Sequence, residues 1–131
     1  MILGIEHTGL YAKDTKKLAD WYVENMNAKV VFSNDAGVYF IAFSDKSMIE
    51  ICKNDAAEPV FSEMNDIGLR HIALSVDDFE QTVAVIKKAG AEILTEPVTL
   101  PNGVSTMFFR DIEGNILQYL FLYQLNFEYR L

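Results

Sequence analysis

The sequence contains two copies of one short plan, and each copy begins with a histidine. Residues 7–14 (HTGLYAKD) and residues 71–78 (HIALSVDD) each combine a strand pattern with an aspartate suited to begin a helix. His7 and His71 are the only histidines of the chain. A duplicated fold that places its only two imidazoles at equivalent positions indicates one shared site. Since histidine is the commonest metal ligand among side chains, a metal ion is the first hypothesis.

The composition narrows the class of protein. The chain has 131 residues, of which 50% are hydrophobic and 12% aromatic, so it can bury the core of one domain. Its net charge of −8 and its scattered basic residues speak against binding to nucleic acid. The chain lacks a long apolar run and signal-peptide features, so we expect no membrane association and a cytoplasmic protein. The single cysteine, Cys52, agrees with that compartment.

Hydrophobic periodicity predicts the same order of elements in both halves of the chain. The first half is predicted to contain strands at 5–12, 28–32, 38–44 and 47–53 and a helix at 14–26. The second half is predicted to contain strands at 70–76, 91–94, 105–109 and 115–122, a helix at 78–89 and a loop at 96–103.

This order predicts an α+β fold with two βαβββ modules. We expect the modules to pair edge to edge into a cup-shaped mixed sheet with the helices outside. The modules are residues 1–53 and 69–131, and residues 54–68 are predicted to be the linker between them. Together they form a single domain, residues 1–131.

Each module also carries a polar residue in its last strand. Glu50 lies inside an apolar strand, where a carboxylate is costly unless it has a partner. Gln118 lies in the matching strand of the second module. If the modules pair as expected, one concave face would carry all four candidate ligands: His7, Glu50, His71 and Gln118.

Neighbouring residues support this face or have simpler roles. Gly9 and Ala73, two positions after each histidine, are small and leave room beside the imidazoles. Cys52 has the parity of Glu50, which allows a pocket-lining thiol but favours a buried, inert one. Residues 111–115 (DIEGN) are typical of a structural turn.

Three stretches carry a resemblance to a known superfamily. They are residues 5–10 (IEHTGL), residues 69–78 (LRHIALSVDD) and residues 109–118 (FRDIEGNILQ). The chain resembles the vicinal oxygen chelate superfamily, which includes glyoxalase I, bleomycin-resistance proteins, extradiol dioxygenases and methylmalonyl-CoA epimerase. The third stretch is similar to the run that ends in the fourth metal ligand of this family, with Ile112 in place of the usual proline.

The resemblance implies that His7, Glu50, His71 and Gln118 occupy the four metal-ligand positions. Small bacterial glyoxalase I enzymes usually have His, Glu, His and Glu there, so this chain differs at Gln118. The fourth glutamate is often assigned as the catalytic base, which an amide cannot be, although its carbonyl oxygen can bind a metal. Glu50 is then the only carboxylate of the set and the predicted catalytic residue.

The function implied is that of a metal-dependent lyase or isomerase of the glyoxalase I type. It would move a proton through an enediolate in a small hydroxy-carbonyl or hemithioacetal substrate. One divalent ion per site is expected, and the donor set suits Ni, Co, Zn, Mn or Fe(II). The alternatives are another metal enzyme of the same fold, either an epimerase or an Fe(II) dioxygenase, and a metal-free small-molecule-binding or resistance protein.

A homodimer is the expected assembly. Small chains that resemble this one commonly dimerise, with modules of different subunits forming each cup. The apolar segment from Leu120 to Phe127 fits a buried contact. Apart from a second copy of the chain, the only partner expected is a small-molecule substrate.

Overall fold

The computed structural model describes residues 1–58 and 63–122 of the chain. Within these residues it contains eight strands and two helices in the following order. They are β1 (His7–Ala12), α1 (Thr15–Met26), β2 (Lys29–Ser33), β3 (Tyr39–Ala42), β4 (Met48–Lys53), β5 (Ile72–Ser75), α2 (Phe79–Lys88), β6 (Val98–Thr99), β7 (Val104–Arg110) and β8 (Ile116–Leu122). Of the segment from Leu120 to Phe127, for which we predicted a buried contact, residues 123–127 lie outside the described residues.

The chain separates into two compact units, Met1–Val60 (unit 1) and Phe61–Leu131 (unit 2). Each described unit has a four-stranded sheet, with the order β1-β4-β3-β2 in unit 1 and β5-β8-β7-β6 in unit 2. In each sheet the first pair of strands is parallel and the others are antiparallel. The α+β class and the duplicated βαβββ order are therefore confirmed, while the pairing of modules into a cup stays a prediction.

Both helices begin at the aspartate that the sequence pattern predicts. The side chain of Asp14 accepts a hydrogen bond from the backbone N–H of Lys17 at 3.0 Å, and Asp78 accepts one from Gln81 at 3.1 Å. These bonds satisfy backbone donors that the first turn of a helix leaves free. Each cap thus fixes where the chain turns from its histidine-bearing strand into the helix.

The helices bury one apolar face against the sheet of their own unit. In unit 1, α1 buries Leu18, Trp21 and Tyr22 and packs on all four strands. In unit 2, α2 packs on β8 and buries Val83 and Ile86. Because side chains alternate across a strand, the opposite face of each sheet carries the residues of the other parity, which include His7, Glu50 and Gln118.

The second strand of unit 2 differs from the prediction. We expected a strand at 91–94 and a loop at 96–103, but the strand is β6, at Val98–Thr99. Residues 91–94 make only one isolated bridge, from Ile93 to Phe109. The N–H groups of Leu94 and Thr95 both donate to Phe108, which is not a regular ladder. Pro97, which has no N–H to donate, follows two residues after Thr95, and the next strand begins directly after this proline.

The turn at 111–115 has the structural role predicted for it. Asp111 is buried and accepts hydrogen bonds from the backbone N–H of Glu113 and from the backbone and side-chain N–H groups of Asn115. Gly114 adopts a φ of 91°, a conformation that glycine tolerates best. The turn joins β7 to β8 and so sets the register in which Gln118 is placed.

Among the described residues, neither helix is long and apolar enough to cross a membrane.

Candidate functional site

Glu50 lies near the middle of β4, in the interior of the unit 1 sheet. Its direct neighbours are Gly9 on parallel β1 and Phe40 on antiparallel β3. A methyl group added to Gly9 would lie 3.9 Å from Oε1 of Glu50, an ordinary contact distance. The small residue therefore leaves the carboxylate accessible on this face, where its side chain keeps 29% exposure.

His7 lies on the same face, at the start of β1. Its Nε2 atom is 4.0 Å from Oε1 of Glu50, while its Nδ1 atom contacts the carboxylate of Glu6. The imidazole meets the ring of Phe40 edge-on, with 5.4 Å between centroids. A carboxylate on Nδ1 fixes the ring and its tautomer. Nε2, on the side of the ring that faces Glu50, is then the nitrogen that could bind a metal ion.

The carboxylates near His7 and Cys52 favour the protonated forms of both side chains. The hydrogen bond with Glu6 raises the pKa of His7, and the negative charges of Glu6 and Glu50 act in the same direction against the effect of partial burial. The thiol of Cys52 donates a hydrogen bond to Oε1 of Glu50 at 3.2 Å. Burial raises the pKa of Cys52, and the contact with Glu50 raises it further. Cys52 therefore remains a neutral thiol that steadies the carboxylate.

Gln118 occupies the equivalent place in unit 2. Its direct neighbours are Ala73 on parallel β5 and Phe108 on antiparallel β7. Its side-chain Nε2 donates a hydrogen bond to the hydroxyl of Thr106 at 2.7 Å. Because the amide nitrogen is held there, the carbonyl oxygen is the end of the amide that can accept a hydrogen bond from His71 or bind a metal ion.

His71 directly precedes β5 and contacts Phe108 and Gln118. Its ring meets Phe108 edge-on at 5.0 Å, and the guanidinium of Arg70 lies over that phenyl ring, 5.0 Å from its centroid. Burial lowers the pKa of His71, as does the charge of Arg70, while a hydrogen bond with Gln118 opposes the change. Its Nδ1 atom is buried and has no partner in the described part of the chain.

The structure thus brings the predicted residues together in pairs. The first cluster is His7, Gly9, Phe40 and Glu50, and the second cluster is His71, Ala73, Phe108 and Gln118. Within the described residues, no group of three or more His, Cys, Asp or Glu side chains is placed so that it could hold a metal ion. Each unit supplies two of the four candidate ligands.

Sequence reasoning did not identify four residues that contact the histidines or their phenyl neighbours. Phe40 and Phe108 support the two imidazoles, and the matched register of the third strand in each module could have revealed them. Glu6 and Arg70 directly precede the two histidines in the sequence. Their opposite charges at equivalent positions were a signal available from the sequence alone.

The family model of the Glyoxalase/Bleomycin resistance protein/Dioxygenase superfamily matches residues 4–119. The chain belongs to this superfamily. The resemblance to the vicinal oxygen chelate superfamily, inferred from residues 5–10, 69–78 and 109–118, is thereby confirmed. Among curated proteins, no sequence gives a significant match.

Solved structures of the superfamily share the fold at low sequence identity. A glyoxylase/bleomycin resistance protein/dioxygenase domain from Frankia sp. EAN1pec has a TM-score of 0.77 and 21% identity, over 92% of this chain and 98% of that one. Lactoylglutathione lyase from Agrobacterium tumefaciens has a TM-score of 0.68 and 17% identity, over 92% and 94%.

A third structure contains a metal ion. It is a variant of the fosfomycin resistance protein FosX from Listeria monocytogenes, complexed with Mn(II) and 1S,2S-dihydroxypropylphosphonic acid. Its TM-score is 0.72 at 20% identity, over 91% of this chain and 90% of that one. At these identities the likeness of all three structures establishes the fold alone.

Proposed function

We propose that the protein is a metal-dependent lyase or isomerase of the glyoxalase type. It binds one divalent ion per site through His7, Glu50, His71 and Gln118 and acts on a small hydroxy-carbonyl or hemithioacetal substrate. The observation that carries the proposal is that the same arrangement of side chains occurs once in each unit, as the first and second clusters. In each, a histidine and an oxygen-bearing side chain share one sheet face with a small residue and a phenyl ring.

The side chains of both clusters fit a divalent cation. Nε2 of His7 faces Oε1 of Glu50, and its other nitrogen is engaged by Glu6, as is common for metal-bound histidine. Gln118 has its nitrogen committed to Thr106, so its oxygen can face an ion. His71 retains a buried nitrogen without a partner among the described residues. Two imidazoles, a carboxylate and an amide suit Ni, Co, Zn, Mn or Fe(II), and the FosX relative was solved with Mn(II).

The proposed chemistry divides the work between Glu50 and Gln118. When bound, the ion would polarise the substrate carbonyl and acidify the C–H bond beside it. Glu50 is the only carboxylate among the four residues, so it carries the proton between neighbouring carbons. The thiol of Cys52 holds Oε1 of that carboxylate in place. Gln118 accepts no proton, and its role is to coordinate the ion through its carbonyl oxygen.

A metal-free small-molecule-binding protein is the second candidate, and one observation favours it. The position where glyoxalase I usually has a glutamate carries the neutral Gln118, which removes one charge that would hold a cation. An epimerase or an Fe(II) dioxygenase remains the alternative within the metal-dependent class.

Metal analysis combined with a substrate panel tests the proposal. The protein is purified without a chelator, its metal content is measured, and hemithioacetals of several thiols are assayed with each of the five metals in turn. We expect one bound ion per chain and turnover of at least one hemithioacetal. A protein that neither retains nor takes up a divalent ion would favour the binding protein, and a metal-loaded but inactive one would favour an epimerase or dioxygenase.

We also propose that the chain forms a homodimer with two equivalent sites. The physical motive is the apolar sequence that continues beyond β8, which would be costly to expose. Sedimentation at micromolar concentration should give the mass of a dimer, and a monomer under these conditions would contradict the proposal.

A further inference from the structure

Arg70 places a positive charge on the face of unit 2 that carries the second cluster. Its guanidinium carbon lies 5.0 Å from the centroid of Phe108, and this ring contacts His71 edge-on. Phe108 is also the direct neighbour of Gln118 in the sheet. The charge is near enough to His71 to lower the pKa of its imidazole. Arg70 is therefore part of the surroundings of both candidate ligands of unit 2.

No carboxylate in residues 1–58 or 63–122 forms an ion pair with Arg70. Arg110, on the same unit, lies 3.9 Å from a carboxylate oxygen of Glu92 and donates to the carbonyl of Gly114. Arg70 instead rests on an aromatic face and is exposed to solvent. In a chain with 19 acidic and 11 basic residues, a guanidinium held by a ring rather than a carboxylate stands out as a cation available to an external anion.

The identity of residue 118 strengthens this argument. Gln118 and His71 both lie next to Phe108, and neither carries a negative charge. A glutamate at position 118 would introduce a carboxylate beside the ring on which the guanidinium rests. Because Gln118 is neutral, it does not neutralise the positive charge of Arg70. The same substitution that departs from the glyoxalase I pattern thus leaves a positive surface beside the proposed metal ligands.

We propose that Arg70 is a specificity-determining residue that binds an oxyanion of the substrate, either a carboxylate or a phosphonate. The planar guanidinium fork matches both groups, and stacking on Phe108 fixes the plane of the fork. This inference rests on the proposed function, because it places the anionic end of the substrate beside the residues that hold its reacting end. The substrate class is thereby narrowed to small hydroxy-carbonyl compounds that carry a negative charge.

Anion binding by the full-length protein tests Arg70 without relying on turnover. Acetate and methylphosphonate are titrated separately into the protein while the His71 imidazole resonance is followed by NMR. We expect a saturable shift in the wild type and about tenfold weaker binding in Arg70→Gln, the typical worth of a charge-assisted hydrogen bond. Arg70→Lys should lie between them, because it restores charge without the fork. Comparing the two anions shows which oxyanion geometry the site prefers.

Lys88→Gln is the matched control, because it removes the same charge from the last turn of α2. It should bind both anions as the wild type does. If the wild type shows no saturable shift with either anion, or if Arg70→Gln binds as tightly as Lys88→Gln, the role of Arg70 is overturned.

A kinetic comparison then separates this inference from the proposed reaction. Methylglyoxal hemithioacetals of mercaptoacetate and 2-mercaptoethanol differ chiefly in charge. Arg70→Gln should raise the ratio of KM for the anionic hemithioacetal to KM for the neutral one by about tenfold. Equal changes for both substrates would contradict an anion-binding role. If neither compound reacts in any variant, the proposed reaction fails, while the NMR titration still decides whether Arg70 binds anions.

Discussion

A carboxylate lies beside the histidine of unit 1, whereas a guanidinium lies near the histidine of unit 2. Glu6 and Arg70 each precede a histidine that meets a phenyl ring edge-on, and the sheets around both are built alike. The hydrogen bond with Glu6 and its charge nevertheless raise the pKa of His7, whereas burial and then the charge of Arg70 lower the pKa of His71. The duplicated backbone fixes where side chains stand, and the side chains then give the two copies different roles.

Glu50 and Gln118, the polar residues beside the two histidines, also differ in charge. Glu50 of unit 1 can accept a proton and is held by a thiol, whereas Gln118 of unit 2 can only coordinate and is held by a hydroxyl. In the proposed site, unit 1 would provide negative charge for a cation and for proton transfer. Unit 2 would provide neutral ligands and a positive charge suited to an anionic substrate.

The largest expected effect is the loss of turnover when Glu50, the carboxylate of unit 1, is replaced. Glu50→Gln gives both clusters an amide and keeps the side-chain shape, but it removes the proposed base. Turnover should fall by about 100-fold or more, the usual worth of a positioned general base. The measurement is steady-state turnover of a hemithioacetal with saturating metal.

Gln118→Glu is the matched variant in the other unit. It should preserve or raise isomerisation of a neutral hemithioacetal, because it restores the His, Glu, His, Glu set of the resembling lyases. Full activity in Glu50→Gln would mean that another group carries the proton.

The small residues beside the polar ligands allow a second comparison. Gly9 and Ala73 stand at equivalent positions, and a methyl group at Gly9 would meet Glu50 only at ordinary contact distance. Gly9→Ala should therefore bind metal as the wild type does. Gly9→Val should displace the carboxylate of Glu50 and weaken metal affinity by about tenfold, as changes to residues that support a metal ligand do. Calorimetric titration with a divalent ion measures both, and equal affinities would show that space at this position is irrelevant.

A tyrosine buried in β8 has an apolar residue at the equivalent position of β4. Tyr119 is 1% exposed and its hydroxyl lacks a partner among the described residues, while the equivalent position of unit 1 is the apolar Ile51. Tyr119→Phe keeps the ring and removes the unsatisfied group. The free energy of unfolding should be unchanged or higher by about 1 kcal/mol in urea denaturation. Tyr11→Phe, at an exposed position, is the control, and destabilisation confined to Tyr119→Phe would reveal a missed partner.

The smallest expected effect is the order in which the histidines titrate. In metal-free protein His7 should take up its proton at a higher pH than His71, because Glu6 raises the one pKa while burial and Arg70 lower the other. Imidazole NMR resolves this readily, since the chain has two histidines. Glu6→Gln should lower the pKa of His7, and Arg70→Gln should raise that of His71. The reverse order would invalidate the electrostatic contrast drawn between the units.

The sequence predicted those features that depend on chain direction and alternation. Period-two patterns placed His7 with Glu50 and His71 with Gln118, because parity alone decides the face of a strand. Asp14 and Asp78 marked the helix starts, since capping is a local interaction. The sequence did not locate β6, because strand pairing there depends on how the segment before Pro97 meets β7. Nor did it predict the contact of Arg70 with Phe108, which depends on the conformation of a long side chain.

Metal stoichiometry in wild-type protein and two single variants tests the central claim most directly. The claim is that the clusters of both units serve one divalent ion. Calorimetric titration and elemental analysis should give one ion per chain for the wild type. His7→Ala and His71→Ala should each lose most of that ion while keeping the fold, as judged by circular dichroism. Two ions per chain, or undiminished binding in either folded variant, would contradict a site built from both copies of the motif.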